Sequence, residues 1–234
     1  MAARRSTARD LAQIAIFAAL IAALGVPGTL QLAGNAVPIT LQTLGVMLAG
    51  SLLGARKGAL AVATFLALVA CGLPLLAGGR GGIQFLTVEP SAGYAWGFLA
   101  GAFVIGLLTQ QMMPRYRLWF GLVANAVGGV LVVYLIGTLW VWIGTGAALG
   151  TALVRNGIYL PGDAFKVVIA SVVATQVHRA YPGLIARSRP NAPEVRESLP
   201  AAAPAAFPAP TSPPALPTTS GGEQADDIGR TDRR

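Results

Sequence analysis

The chain has 234 residues, 54% hydrophobic and only 11% charged, where an ordinary soluble domain carries roughly a quarter charged residues; this composition excludes a soluble globular protein. Its formal net charge is +8, yet the basic residues stand in short clusters between apolar runs. They do not line one face, which argues for membrane topology and against nucleic acid. Before residue 186 there are 11 basic and 3 acidic residues and after it 6 of each, so the excess charge belongs to the apolar part. The single Cys71 permits no intrachain disulfide and reads as a packing residue within an apolar run.

In chain order, residues 1–10 carry Arg4, Arg5 and Arg9, and an apolar run over 11–26 follows. More apolar spans come next, so the run reads as a first transmembrane helix and not as a cleaved leader. Ala15, Ala19 and Ala23 form a small-residue row on it, of the kind that lets another helix approach closely. A charge-free connection over 27–38 leads to a second span at 39–55. There Gly50, Gly54 and Gly58 recur every fourth residue, which predicts a smooth packing groove running on to Arg56 and Lys57. The third span, 58–77, gives way to the glycine run of residues 78–82 and an irregular segment up to Ala92, because so many glycines cannot form a helix interior.

The fourth span, 93–113, holds a Gly97 and Gly101 pair and closes at Arg115 and Arg117. The fifth, 118–143, contains no charge, and a glycine-rich connection over 144–162 leads to a sixth at 163–177. With six crossings, Arg4, Arg5, Arg9, Arg56, Lys57, Arg115, Arg117, Arg179, Arg187 and Arg189 share one side, and only Arg80 and Arg155 lie in the opposite connections. The positive-inside rule then puts both termini in the cytoplasm. Tyr94, Trp96, Trp140, Trp142 and Tyr159 fall near the outer interface, and His178 near the inner one. The organisation expected is a cytoplasmic N-terminus (1–10), a six-helix membrane domain (11–186), and a disordered Pro- and Ala-rich cytoplasmic tail (187–234).

The connections at the outer end contain the chemistry. The glycine run lacks the Gly-Lys-Ser/Thr ending of a P-loop, so it does not bind ATP by that motif. One Cys, one His and no paired carboxylates offer no metal site, no cofactor site and no enzyme centre. Asp163 precedes an apolar run and so reads either as the cap of the sixth helix or as a ligand group. Lys166, three residues on, shares its face, either paired with the acid or a ligand, or snorkelling to the interface.

Four separated stretches resemble the BioY family, the biotin-specific capture subunits of energy-coupling-factor transporters. They are Val37-Pro38-Ile39-Thr40-Leu41-Gln42-Thr43; Gly72-Leu73-Pro74 with the 78–82 run; Ser91-Ala92-Gly93-Tyr94; and Pro161-Gly162-Asp163 with Lys166. The resemblance covers residues 11–177, and Glu89 departs from it where many members have glycine. It implies an all-α bundle of six helices in a bacterial cytoplasmic membrane that takes up biotin. Its implied partners are a membrane coupling subunit and two ATPase subunits. The residues it implies for biotin are Asp163, Lys166, Arg80, Gly78, Gly79, Thr40, Gln42 and Tyr94, with Ala15 and Ala19 docking the coupling subunit. An autonomous carrier working without ATPase partners, and a membrane enzyme, are the competing readings.

Overall fold

The computed structural model describes residues 3–26, 40–146 and 149–185. The predicted loop at 27–38, the tail at 187–234 and the side chains of Arg4, Arg5 and Arg155 lie outside the described residues. Every regular element among the described residues is helical. In order they are α1 (Ala3–Ala23), α2 (Gln42–Ala70), α3 (Gln84–Thr87), α4 (Ala92–Met112), α5 (Leu118–Ala126), a π-helical turn (Val127–Val132), α6 (Val133–Thr145), α7 (Leu149–Asn156) and α8 (Leu160–Ala180). Among the described residues four stretches are long and apolar enough to cross a membrane: Gln42–Ala70, Ala92–Met112, Leu118–Gly144 and Leu160–Ala180.

The second and third predicted spans join in one helical element, α2, but that element is bent back on itself. At Gly54 the backbone turns to φ 79 and ψ −177, a region that only glycine enters readily. A Cβ placed on Gly58 would stand 2.9 Å from the carbonyl oxygen of Ala49, although nine residues of straight helix span about 13 Å. At the far ends, the side-chain amide of Gln42 donates to Leu75 O at 3.0 Å and accepts from Ala77 N–H at 3.2 Å. Residues 42–53 and 55–70 are therefore two arms lying side by side. The Gly50, Gly54 and Gly58 spacing does not form one continuous groove: Gly54 is the corner, while Gly50 and Gly58 allow the close approaches on either side of it.

The arms come closest to α4 where α4 carries glycine. A Cβ on Gly106 would fall 2.2 Å from Ala55 N, and one on Gly101 2.5 Å from Gly128 O in the π turn. Ile21, Val46, Val62, Phe65, Val69 and Ala102 fill the space between α1, α2 and α4. Leu131, Leu135, Ile143 and Phe165 stay more than 60% exposed, as suits side chains whose solvent is hydrocarbon.

Tertiary contacts define two ends. At one, Lys57 meets Asp10 at 3.1 Å, the Gly54 corner lies against Gln110, and His178 Nε2 meets Ser51 O at 2.9 Å with its ring 4.9 Å from that of Tyr116. Arg9, Arg56, Arg115, Arg117 and Arg179 adjoin these residues in sequence and lie there too. At the other end Gln42 donates to Ile21 O, Trp140 Nε1 to Glu89 O, and Lys166 to Thr40 O.

Several expectations need correction. His178 lies at the basic end as expected, but it is only 8% exposed and packs inward against the Ser51 carbonyl and the Tyr116 ring. Cys71 is exposed at the C-terminus of α2 and not part of the core formed by the described residues. The first helix begins at Ala3, so Arg9 and Asp10 lie within it. The connections hold two further helices, α3 and α7, which glycine content had argued against.

Candidate functional site

The last helix begins at Leu160, three residues before its predicted start, with Pro161 in the first turn where its missing N–H costs nothing. Asp163 thus sits one turn inside, its N–H bonded to Tyr159 O at 2.9 Å, and no side chain caps this helix. The capping explanation for Asp163 therefore fails: its carboxylate is turned away from the helix end.

That carboxylate is 4% exposed and Lys166 5%. They form a salt bridge of 2.8 Å through Oδ1, the pairing that a charge at this depth requires. Lys166 Nζ also donates to Thr43 Oγ1 at 3.0 Å and to the Thr40 carbonyl, which uses all three ammonium donors. The lysine therefore does not snorkel; it reaches across to the start of α2. Asp163 Oδ2 accepts from Tyr134 O–H at 2.5 Å, and Oδ1 from Thr43 O–H at 3.4 Å. A carboxylate has about four acceptor sites, so capacity for a further donor remains.

Thr40 joins this pair to a small cavity of about 50 Å³ lined by Thr40, Gln42, Arg80, Tyr94, Phe85 and Phe98 among others. Four of the predicted ligand residues thus surround one space, with Asp163 and Lys166 behind Thr40. Gly78 and Gly79 do not line it. They have φ of 84 and 69 in a turn closed by Leu76 N–H to Arg80 O at 2.9 Å and Arg80 N–H to Leu76 O at 3.2 Å. Their contribution is the left-handed backbone, which costs other residues about 1–2 kcal/mol each. The turn delivers Arg80 to the cavity, where Nε donates to Ala77 O at 3.0 Å and the guanidinium lies 5.5 Å from the Phe85 ring centroid. Its terminal nitrogens have no partner among the described residues.

Gln42 has a different position from the one expected of a ligand group. It is 2% exposed, and its amide is committed to Ile21 O, Leu75 O and Ala77 N–H. It anchors the segment that carries the glycine turn. Tyr94 donates to Asn156 Oδ1 at 2.6 Å, and Asn156 Nδ2 donates to Thr138 at 2.6 Å, tying α4, α6 and α7 together. Sequence reasoning missed Tyr134, Thr138 and Asn156. A tyrosine within an uncharged apolar run was the available signal, since a buried phenol needs a partner.

On α1, Ala15 and Ala19 are exposed, while Ala18 and Ile21 on the opposite side are buried against α2. The two alanines lie apart from the cavity on a face that no described residue covers.

Comparison with known proteins places residues 1–183 within the model of the BioY family. A biotin transporter BioY of Rhizobium etli is 42% identical over 187 residues, covering 77% of this chain and 98% of that protein. One of Rhodobacter capsulatus is 42% identical over 191 residues, covering 76% and 98%. Among solved structures, the S-component for biotin from an ECF-type ABC transporter matches with a TM-score of 0.71 and 31% identity, over 75% of this chain and 93% of that one.

Proposed function

The chain belongs to the BioY family, and we propose that it captures biotin at the end of the bundle formed by Thr40, Arg80, Tyr94, Asp163 and Lys166. It acts in biotin uptake as the substrate-specific component of an energy-coupling-factor transporter and catalyses no reaction. The observation that carries the site is the buried Asp163–Lys166 pair joined through Thr40 to the cavity holding Arg80.

Biotin presents a ureido ring with two N–H donors and one carbonyl, an apolar thioether ring, and a valerate chain ending in a carboxylate. Asp163 accepts from a ureido N–H with a remaining lone pair, a charge-assisted bond stronger than a neutral one. Lys166 pairs with Asp163, and because its three donors are already used it reaches the ureido oxygen only by giving up its bond to Thr40 or Thr43. Phe85 and Phe98 give the bicyclic ring apolar walls, and Arg80 takes the valerate carboxylate. A cavity of about 50 Å³ has room for about one or two waters, so the loops around it must part to admit the vitamin.

The membrane arrangement belongs to the same proposal. Counting α1, the two arms of α2, α4, the 118–144 helix and α8 gives six crossings of a bacterial cytoplasmic membrane. Both termini lie on the basic, cytoplasmic side, with residues 187–234 following as a separate tail. The arms of α2, about 18 and 24 Å long, are short for a core of about 30 Å and call for local thinning. Ala15 and Ala19 dock a membrane coupling subunit, which two ATPase subunits drive.

The assignment of Arg80 is tested by titrating Arg80→Ala with biotin and with its carboxamide. A charge-assisted contact of about 1.5–3 kcal/mol makes the variant about 10- to 100-fold weaker for biotin, with under about threefold change for the amide. Equal losses for both ligands would remove Arg80 from the carboxylate role. Reconstituted without partners, the chain should bind biotin but not accumulate it.

A further inference from the structure

At the basic end of the bundle, α4 and α5 meet through residues 113–117, and an open groove of about 510 Å³ runs along this hairpin. Leu108, Met112, Phe120 and Val123 give it apolar walls, and Arg115 and Arg117 add two cations to the same lining. Phe120 is 39% and Val123 48% exposed, so the groove faces outward and is not part of the core. The ion pairs of the described residues are Lys57–Asp10 and Lys166–Asp163, and neither arginine has a polar partner among those residues. An apolar trough with two unpaired guanidinium groups is complementary to an amphiphile with an anionic head and a hydrocarbon chain.

We propose that this groove binds an anionic phospholipid, its acyl chain along Leu108, Phe120 and Val123 and its phosphate between Arg115 and Arg117. Guanidinium groups match phosphate oxygens in bidentate fashion. Both flanking helices belong to stretches long and apolar enough to cross a membrane, so lipid is the solvent on this side. The positive-inside rule accounts for arginines at this end but not for an apolar groove beneath them. Basic pockets between membrane helices on the cytoplasmic side hold anionic headgroups in this way.

The test uses the full chain, delipidated and titrated with phosphatidylglycerol or phosphatidylcholine, with retained lipid counted by native mass spectrometry. Wild type should retain phosphatidylglycerol about tenfold or more over phosphatidylcholine, and Arg115→Gln/Arg117→Gln should abolish that preference. Val123→Trp, which fills the groove and leaves both charges, should lower phosphatidylglycerol retention as well. Unchanged biotin affinity in both variants would show them folded, since the vitamin site is at the other end. Equal retention of the two lipids by wild type overturns the proposal without any variant. So does full phosphatidylglycerol retention by either variant. If the variants weaken assembly with a coupling subunit and leave lipid retention untouched, the groove docks protein and the proposal is wrong.

Discussion

Asp163→Asn is expected to lower biotin affinity by about 2–5 kcal/mol, which is about 30-fold or more, while the chain still inserts. Asparagine keeps the shape and one acceptor for Tyr134 or Thr43 but loses the charge that strengthens the bond to a ureido N–H. It also leaves Lys166, 5% exposed, as a buried cation facing only neutral oxygens. Breaking a buried pair in that way destabilises by about 3–5 kcal/mol, so lost binding by itself would not separate a ligand role from a clamping one. Asp163→Asn/Lys166→Met separates them, because removing both charges relieves the buried cation. If the pair only fastens α8 to the start of α2, this double variant recovers both thermal stability and biotin binding. If Asp163 meets the vitamin, stability returns and binding does not. Capping cannot confuse the outcome, since no side chain caps α8 and Asn caps as well as Asp.

The second large effect is expected at the corner of α2. Gly54→Ala places a Cβ at φ 79 and ψ −177, at about 1–3 kcal/mol, and 2.7 Å from the Gln110 amide. Gln110 is flexible enough to swing away, so most of the cost is backbone strain. Gly106→Ala acts on the other side of the same contact, where the new Cβ meets Ala55 N at 2.2 Å; backbone cannot step aside, and overpacking adds about 1–3 kcal/mol or more. Both variants should unfold several degrees below wild type and bind biotin more weakly, because residues 42–53 carry Gln42 and Thr43 to the site. Gly79→Ala is the comparison: it has φ 69 but nothing within 4 Å, so it should cost only about 1–2 kcal/mol. A wild-type melting temperature for Gly54→Ala would mean that α2 does not fold back at that residue.

The sequence was most legible where charge and spacing speak directly. Asp163 and Lys166 could be read as one face of a helix because three residues make nearly a turn, and the basic clusters could be read as sharing one end. The Gly97 and Gly101 pair marked a real close approach, to Val133 and Gly128. What stayed hidden depended on contacts between distant residues. The Arg56 and Lys57 pair marked a break between two spans, but the four-residue glycine spacing did not tell Gly54, which takes the positive φ, from Gly50 or Gly58. Gln42 looked like a ligand group because it is polar at a helix start, but its amide is spent on Ile21, Leu75 and Ala77. Tyr134 lies 29 residues before Asp163 and Asn156 lies 62 after Tyr94, so their pairings follow from packing that no periodicity encodes. Family resemblance supplied the vitamin's identity, and geometry supplied the pairing of the buried acid and base.

The most direct measurement is an equilibrium titration of the purified full-length chain with biotin, repeated with desthiobiotin and with vitamins that lack a ureido ring. Saturable binding of biotin and competition by desthiobiotin, with none from the unrelated vitamins, is the predicted result. No saturable biotin binding by the folded chain, or equal affinity for a vitamin without the ureido group, would contradict it.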